Sequence, residues 1–142
     1  MEPLVLTYDV GTQSTRAALV DKKGNIVDKV QIKYREPYFR QEPGWAEQKT
    51  DFYFAHMCAC SKVLLERNSD KTEAILCCAV TVIRDTLVFL DEYNRPTRDI
   101  IHWLDARKCD FDNPFPAWKT AAFRIVGMDK GSKVGYRTSK VN

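Results

Sequence analysis

The 142-residue sequence predicts an α/β domain on a mixed sheet: three short antiparallel strands, a crossover helix, and a further strand parallel to the first. Three observations carry that reading. Apolar residues alternate through "PLVLTYDV", "RAALV" and "IVDKVQIKY", with turn chemistry between them. Residues 50–67 then show helical apolar spacing. Finally "AILCCAVTVI", residues 74–83, is apolar nearly throughout, the pattern of a central strand covered on both faces.

Taken in order, Leu4, Leu6 and Tyr8 share one face of the first strand. The second leads into "DKKGN", where Gly24 is free to take positive φ, and the third places Ile26, Val30, Ile32 and Tyr34 on one side. Residues 35–48, "REPYFRQEPGWAEQ", hold two prolines and one glycine and continue neither period, so they form an ordered loop or a ligand-facing excursion. In the helix that follows, Thr50 is the expected N-cap and Asp51 sits at the positive end of the dipole. Phe52, Ala55, Ala59, Val63 and Leu64 form its apolar face, and it ends near "RNSD". A strand joined through that helix runs parallel to the first, by a right-handed crossover. Ligands in such sheets collect beyond the carboxyl ends of parallel strands, which brings Asp9 to the same edge as Arg84 and Asp85. Next come a strand "TLVFLDE", a turn "YNRP", the segment "DIIHWLDAR", a proline-interrupted loop "DNPFPAW", and a helix "AWKTAAFRIVGMDKG" with Gly127 near its stop. The final "SKVGYRTSKVN" adds no closing element, so the chain is expected to be the front part of a longer protein.

Composition narrows the partners. The 22 basic and 19 acidic residues are interspersed and form no stripe of the kind that binds a phosphate backbone, so nucleic acid is not expected. No run approaches the roughly 18 apolar residues of a membrane span, and the N-terminus has no basic region of a leader; a soluble, cytoplasmic protein is expected. Cys58, Cys60, Cys77, Cys78 and Cys109 form an odd set without a C-x-x-C spacing and read as reduced thiols packed as small hydrophobes. With His56 and His102 as the only histidines, a structural zinc is not expected.

The stretch "YDVGTQSTR" carries the most chemistry. Asp9 ends a strand, and Gly11 permits a tight turn with backbone N–H groups facing its mouth. Thr12, Gln13, Ser14 and Thr15 add side-chain donors and Arg16 a planar cationic fork. Together they suit a nucleotide phosphate tail, with Asp9 able to hold Mg2+ through water. The alternative is a glycine hairpin whose polar groups satisfy its own backbone.

"DVGTQSTRAALVDKKGNIV", "EPGWAEQ", "IRDTLVFLDEYNRP", "WLDAR" and "FRIVGM", in that order, resemble the N-terminal domain of the FGGY carbohydrate kinases. The resemblance covers nearly all of residues 1–142 and implies a ribonuclease H-like, actin-like ATPase fold with the C-terminal lobe absent. It also implies ATP-dependent phosphorylation of a sugar or polyol. Residue by residue it implies Asp9 at the magnesium; Gly11, Thr12, Gln13, Ser14 and Arg16 in the first phosphate loop; and Arg84 with Asp85 on substrate hydroxyls, where glycerol-kinase-like members carry arginine and glutamate. An arginine and a carboxylate together hold neighbouring hydroxyls in one orientation; the alternative is a salt-bridged pair at a strand end. Trp45 and Trp103 either cover the apolar face of a sugar or pack in a core. Asp105 is either a second substrate contact or an ion-pair partner of Arg107, and Tyr136 lies near a substrate tyrosine of glycerol-kinase-like members.

The resemblance places the general base, the second phosphate loop and the adenosine pocket beyond residue 142, so no catalytic residue is assigned in this chain and the chain alone is expected to turn over negligibly. Self-association is an expected way to hide the surface that a missing lobe would cover. Two other functions compete. One is a metal-dependent nuclease on the same topology, which needs a closely grouped acidic set. The other is a non-catalytic sugar-binding or interaction module derived from a kinase.

Overall fold

The computed structural model describes residues 2–108, 115–128 and 130–131. Strands β1 (Leu4–Val10), β2 (Ser14–Asp21) and β3 (Ile26–Lys33) form an antiparallel meander, and β5 (Ile75–Thr81) lies parallel to β1, giving the order β3-β2-β1-β5. Helix α1 (Phe52–Arg67) and a 3-10 turn (Ser69–Ala74) connect the meander to β5. The alternation seen in the sequence sorts the faces. Leu4, Leu6, Ala17, Leu19 and Val30 are buried together under Cys60 and Leu64 of α1, with Tyr8 and Ile32 packed against them.

The β2–β3 turn follows its expected chemistry. Gly24 has φ +85°, and the Asp21 carboxylate accepts the backbone N–H groups of Lys23 and Asn25, each at 2.8 Å. Hydrogen bonding, led by the Asn25 side chain, holds that carboxyl below the usual carboxylate range. One expectation fails here. Ile26 does not join Val30 on the inner face, because a bulge between Leu19 and Val20 pairs Val20 with Ile26 and shifts the alternation, leaving Ile26 59% exposed.

Helix α1 is capped by Asp51, not Thr50, and without a side-chain cap bond. Its inner face is rotated from the expected one: Cys60 and Leu64 are fully buried, while Ala59 and Val63 face outward. The aromatic first turn sets this rotation, since Phe52, Tyr53 and His56 pack edge-on around Tyr34 at the end of the meander. At the other end Asn68 donates its amide to Leu64 O (2.9 Å) and to the Asp28 carboxylate (2.7 Å), closing the helix onto β3. Of the described cysteines only Cys60 is buried; Cys58, Cys77 and Cys78 are exposed, against the expectation of packed thiols. Cys109 lies outside the described residues.

Strand β5 is parallel to β1, as expected, but is neither central nor covered. It ends the sheet order, and Leu76 and Val82 beside it are 73% and 68% exposed. The cause is placement: α1 lies over β2 and β3, and β5 packs chiefly on β1, with the 3-10 turn touching its start. The loop 35–48 is ordered and closes on a second, two-stranded sheet, in which β4 (Glu47–Gln48) pairs antiparallel with β6 (Ile100–Ile101). The expected strand "TLVFLDE" is reduced to isolated bridges, Leu87 with Ile101 and Leu90 with Pro96. The last described helix, α2 (Ala117–Ile125), stops at Gly127 (φ +71°), where Gly127 and Met128 N–H groups return to Arg124 and Phe123 carbonyls. No described helix is long and apolar enough to cross a membrane.

Candidate functional site: the carboxyl ends of β1 and β5

The parallel register builds the site. Asp9 pairs with Thr81 across β1 and β5 and with Arg16 across β1 and β2. Its carboxylate therefore receives two neighbours: the Arg16 guanidinium on one oxygen and the Thr81 hydroxyl (3.3 Å) on the other. After Asp9 the chain reverses tightly, with Gly11 N–H donating to Ser14 O at 3.0 Å. A side chain at Gly11 would bring a Cβ within 3.3 Å of that same carbonyl. Tyr34 N–H bonds the Gln13 carbonyl (2.9 Å) and so ties the turn to the end of β3.

The turn is shorter than the sequence suggested. β2 begins at Ser14, so Ser14 and Thr15 are strand residues with buried side chains. Ser14 Oγ accepts the Gln31 amide at 3.0 Å and Thr15 shares a hydrogen bond with the Tyr34 hydroxyl. Ser14 thus differs from its expected place in the phosphate loop: cross-strand pairing turns its hydroxyl into the sheet. Thr12, Gln13 and Arg16 remain accessible at the turn.

Past Thr81 the chain runs through Ile83 to Arg84 and Asp85. These residues, with Thr12 and Trp103, line a cavity of about 260 Å³. Asp85 takes a left-handed backbone conformation, φ +54°, which re-aims the chain at the cavity. Among the described residues no ion pair joins Arg84 to Asp85, so both heads stand exposed rather than neutralising each other. Trp103 closes the wall. Its indole N–H donates to Thr12 Oγ1 (3.0 Å), and its backbone N–H donates to Thr86 Oγ1 (3.2 Å).

Asp105 plays a different part from the substrate contact weighed above. Its side chain is buried, accepts the Ala46 N–H at 2.9 Å, and takes both oxygens to Arg107 Nε at 2.9 and 3.0 Å. Burial pushes this carboxyl up, but the Arg107 and Ala46 hydrogen bonds outweigh it and hold the group below the usual carboxylate range. Arg107 also reaches buried Glu47, which carries Arg98 as well, and lies 4.2 Å over the Trp45 ring. The segments "PGWAEQ" and "WLDAR" are thus one clasp beneath Trp103, and Trp45 packs within it. Sequence reasoning missed Glu47, Thr81 and Thr86. Tyr136 lies outside the described residues.

Among the described residues no three His, Cys, Asp or Glu side chains are grouped to hold a metal ion, so the ligand set of a two-metal nuclease is not assembled there.

An antiparallel meander continued by a parallel strand through a helix, with its site beyond the strand ends, defines a ribonuclease H-like domain of the actin-like ATPase type. The pattern of the FGGY family of carbohydrate kinases, N-terminal domain, matches residues 4–112, and the chain belongs to that family. It is 34% identical over 100 residues to glycerol kinase 2 of Thermotoga maritima, covering 70% of this chain and 20% of that protein. Among solved structures, Plasmodium falciparum glycerol kinase with ADP superposes with a TM-score of 0.65 at 25% identity, over 75% of this chain and 21% of the other. A ligand-bound xylulose kinase from Lactobacillus acidophilus gives 0.62 at 20% identity, over 94% and 23%. The chain therefore spans about a fifth of the length of the relatives it matches.

Proposed function

We propose that the complete gene product transfers a phosphoryl group from ATP to a hydroxyl of a polyol or sugar. On this reading residues 1–142 form an incomplete N-terminal domain, supplying the first phosphate turn and part of the substrate cavity. The observation that carries the reading is the meeting of two unlike subsites at one sheet edge. The Asp9–Arg16 turn and the Arg84–Asp85 cavity adjoin, and Thr12 belongs to both.

In this assignment Arg16, Thr12, Gln13 and the N–H groups around Gly11 meet the phosphate oxygens. Mg2+ keeps several waters and needs only one or two carboxylates beside substrate phosphates; Asp9, exposed and oriented by Thr81, fits that requirement. The ion supplies charge neutralisation on the phosphoryl oxygens. Arg84 donates to substrate hydroxyls, Asp85 accepts from them, and the Trp103 ring covers the C–H face. A hydroxyl recognised in this way discriminates strongly, because an analogue lacking it strands a polar partner. The chain by itself binds rather than turns over, since positioning by both lobes is what phosphoryl transfer requires.

The test is ADP release by the complete gene product with glycerol and with xylulose. At least one is expected to stimulate it, and Arg84→Ala is expected to lower kcat/KM by about a hundredfold or more, the scale of a lost charged hydrogen-bond set. Turnover at ordinary enzymatic rates by the 142-residue chain alone would contradict the division of labour.

A further inference from the structure

We infer that Thr86 is a positioning residue: its hydroxyl fastens the Arg84–Asp85 corner to the Trp103 wall and so sets which polyols or sugars the cavity accepts. This rests on the kinase reading and adds to it a determinant of substrate choice. The need for a fastening begins with β5, which ends at Thr81 and keeps most of its side chains in solvent. Beyond it, among the described residues, no backbone hydrogen bond ties residues 82–86 to another part of the chain. Arg84 and Asp85 occupy a turn there, with Asp85 at φ +54°. The strand alone therefore leaves open how far their heads stand from the opposite wall.

That wall has a frame of its own. Ile100 and Ile101 are buried in β6, His102 N–H donates to the Ala46 carbonyl (2.9 Å), and the buried Asp105 carboxylate accepts the Ala46 N–H. Thr86 reaches this frame from the corner. Its Oγ1 accepts the Trp103 backbone N–H at 3.2 Å and, with its one proton, makes a longer bond to the Arg84 carbonyl at 3.4 Å. One residue on, Leu87 and Ile101 exchange backbone hydrogen bonds of 3.1 and 3.2 Å, which bring Thr86 alongside Trp103. A single hydroxyl is thus bonded to both sides of the cavity, whose lining includes Arg84 and Trp103. Selectivity follows from the spacing it fixes. A substrate whose hydroxyls meet Arg84 and Asp85 while its C–H face meets Trp103 must match that gap, and a gap set beforehand needs no ordering on binding. Without the tie the corner is free to shift, and the better-fitting substrate loses more than the poorer one.

The experiment compares steady-state kinetics of the complete gene product and its Thr86 variants on glycerol and on xylulose. Thr86→Val keeps the side-chain shape and deletes both bonds. It is expected to raise KM for the preferred substrate about tenfold, the scale of a lost hydrogen bond, while KM for ATP stays unchanged. It is also expected to narrow the ratio of kcat/KM between the two substrates about fivefold. Thr86→Ser restores both quantities. A variant that merely contains less folded enzyme loses rate equally on both substrates and leaves their ratio where it was. Such an equal loss makes Thr86 a scaffold residue and overturns the inference. Unchanged KM and ratio in Thr86→Val, or a Thr86→Ser that behaves like Thr86→Val, overturns it as well and leaves the kinase reading intact. Thr86→Ala deletes the same bonds and carries the comparison if Thr86→Val does not fold. If the unsubstituted gene product phosphorylates neither substrate, the kinase reading falls and takes the inference with it.

Discussion

Under the meander that carries the turn after β1, Ala17, Leu19, Cys60 and Leu64 are fully buried, whereas β5, which leads to Arg84 and Asp85, keeps most of its side chains in solvent. The turn side of the site stands on a finished core. The cavity side hangs from a bare strand and is steadied instead by the polar clasp of Glu47, Asp105 and Arg107. The contrast shows two ways of holding a functional loop, by apolar packing below it or by a buried ion network beside it.

The largest test of that contrast is truncation on each side. Leu64→Ala is expected to cost about 2–5 kcal/mol in urea unfolding, while Leu76→Ala costs less than about 0.5 kcal/mol. Comparable losses at both positions would abolish the distinction. Asp105→Ala should come next, at about 2 kcal/mol, because it strands the Ala46 N–H and leaves partly exposed Arg107 with Glu47 alone. The Asp105 carboxyl is lowered on folding, so its contribution is complete above the unfolded value of about 3.9 and disappears as pH falls through the lower folded value. Acid titration of stability should therefore flatten below about pH 4 in Asp105→Asn, and an unchanged profile would remove the clasp from the account.

Asp9→Asn touches an exposed pair with Arg16 and should alter stability by less than about 1 kcal/mol, while the complete gene product loses its response to magnesium. A large loss of stability instead would make Asp9 a scaffold residue. The smallest effect is expected at Tyr53, whose buried hydroxyl has no hydrogen-bond partner among the described residues and is pushed up to about 12 by burial. Tyr53→Phe should leave unfolding midpoints unchanged or slightly raised, since no bond is lost. It should also lessen the fall in stability as pH rises from about 10 towards 12, where the unfolded chain would ionise first.

Much of this was readable in advance because its causes are local. Period-two alternation located the meander, Asp21 and Gly24 announced its turn, and the parallel crossover paired Asp9 with Thr81, at the end of the strand that leads on to Arg84. Ser14 was misplaced because polar residues at a strand start look like loop; only the pairing with β3 shows that its hydroxyl turns inward. The bulge that releases Ile26 and the rotation of α1 around Tyr34 depend on tertiary packing, which spacing along the chain does not encode. β4 and β6 are two residues each, too short for any period, and the Arg107–Glu47 bridge joins residues 60 apart. The apolar run of β5 describes a strand made to be covered, and nothing in the described residues covers it.

The positive φ at Asp85 limits how this cavity can be retuned. Left-handed backbone favours glycine, asparagine and aspartate, so extending the acid by a methylene sets side-chain reach against main-chain preference. Asp85→Asn or Asp85→Gly changes the chemistry while keeping the bend, whereas Asp85→Glu keeps the chemistry and strains it. Variation at this corner is thus steered by chain handedness before any substrate has a say.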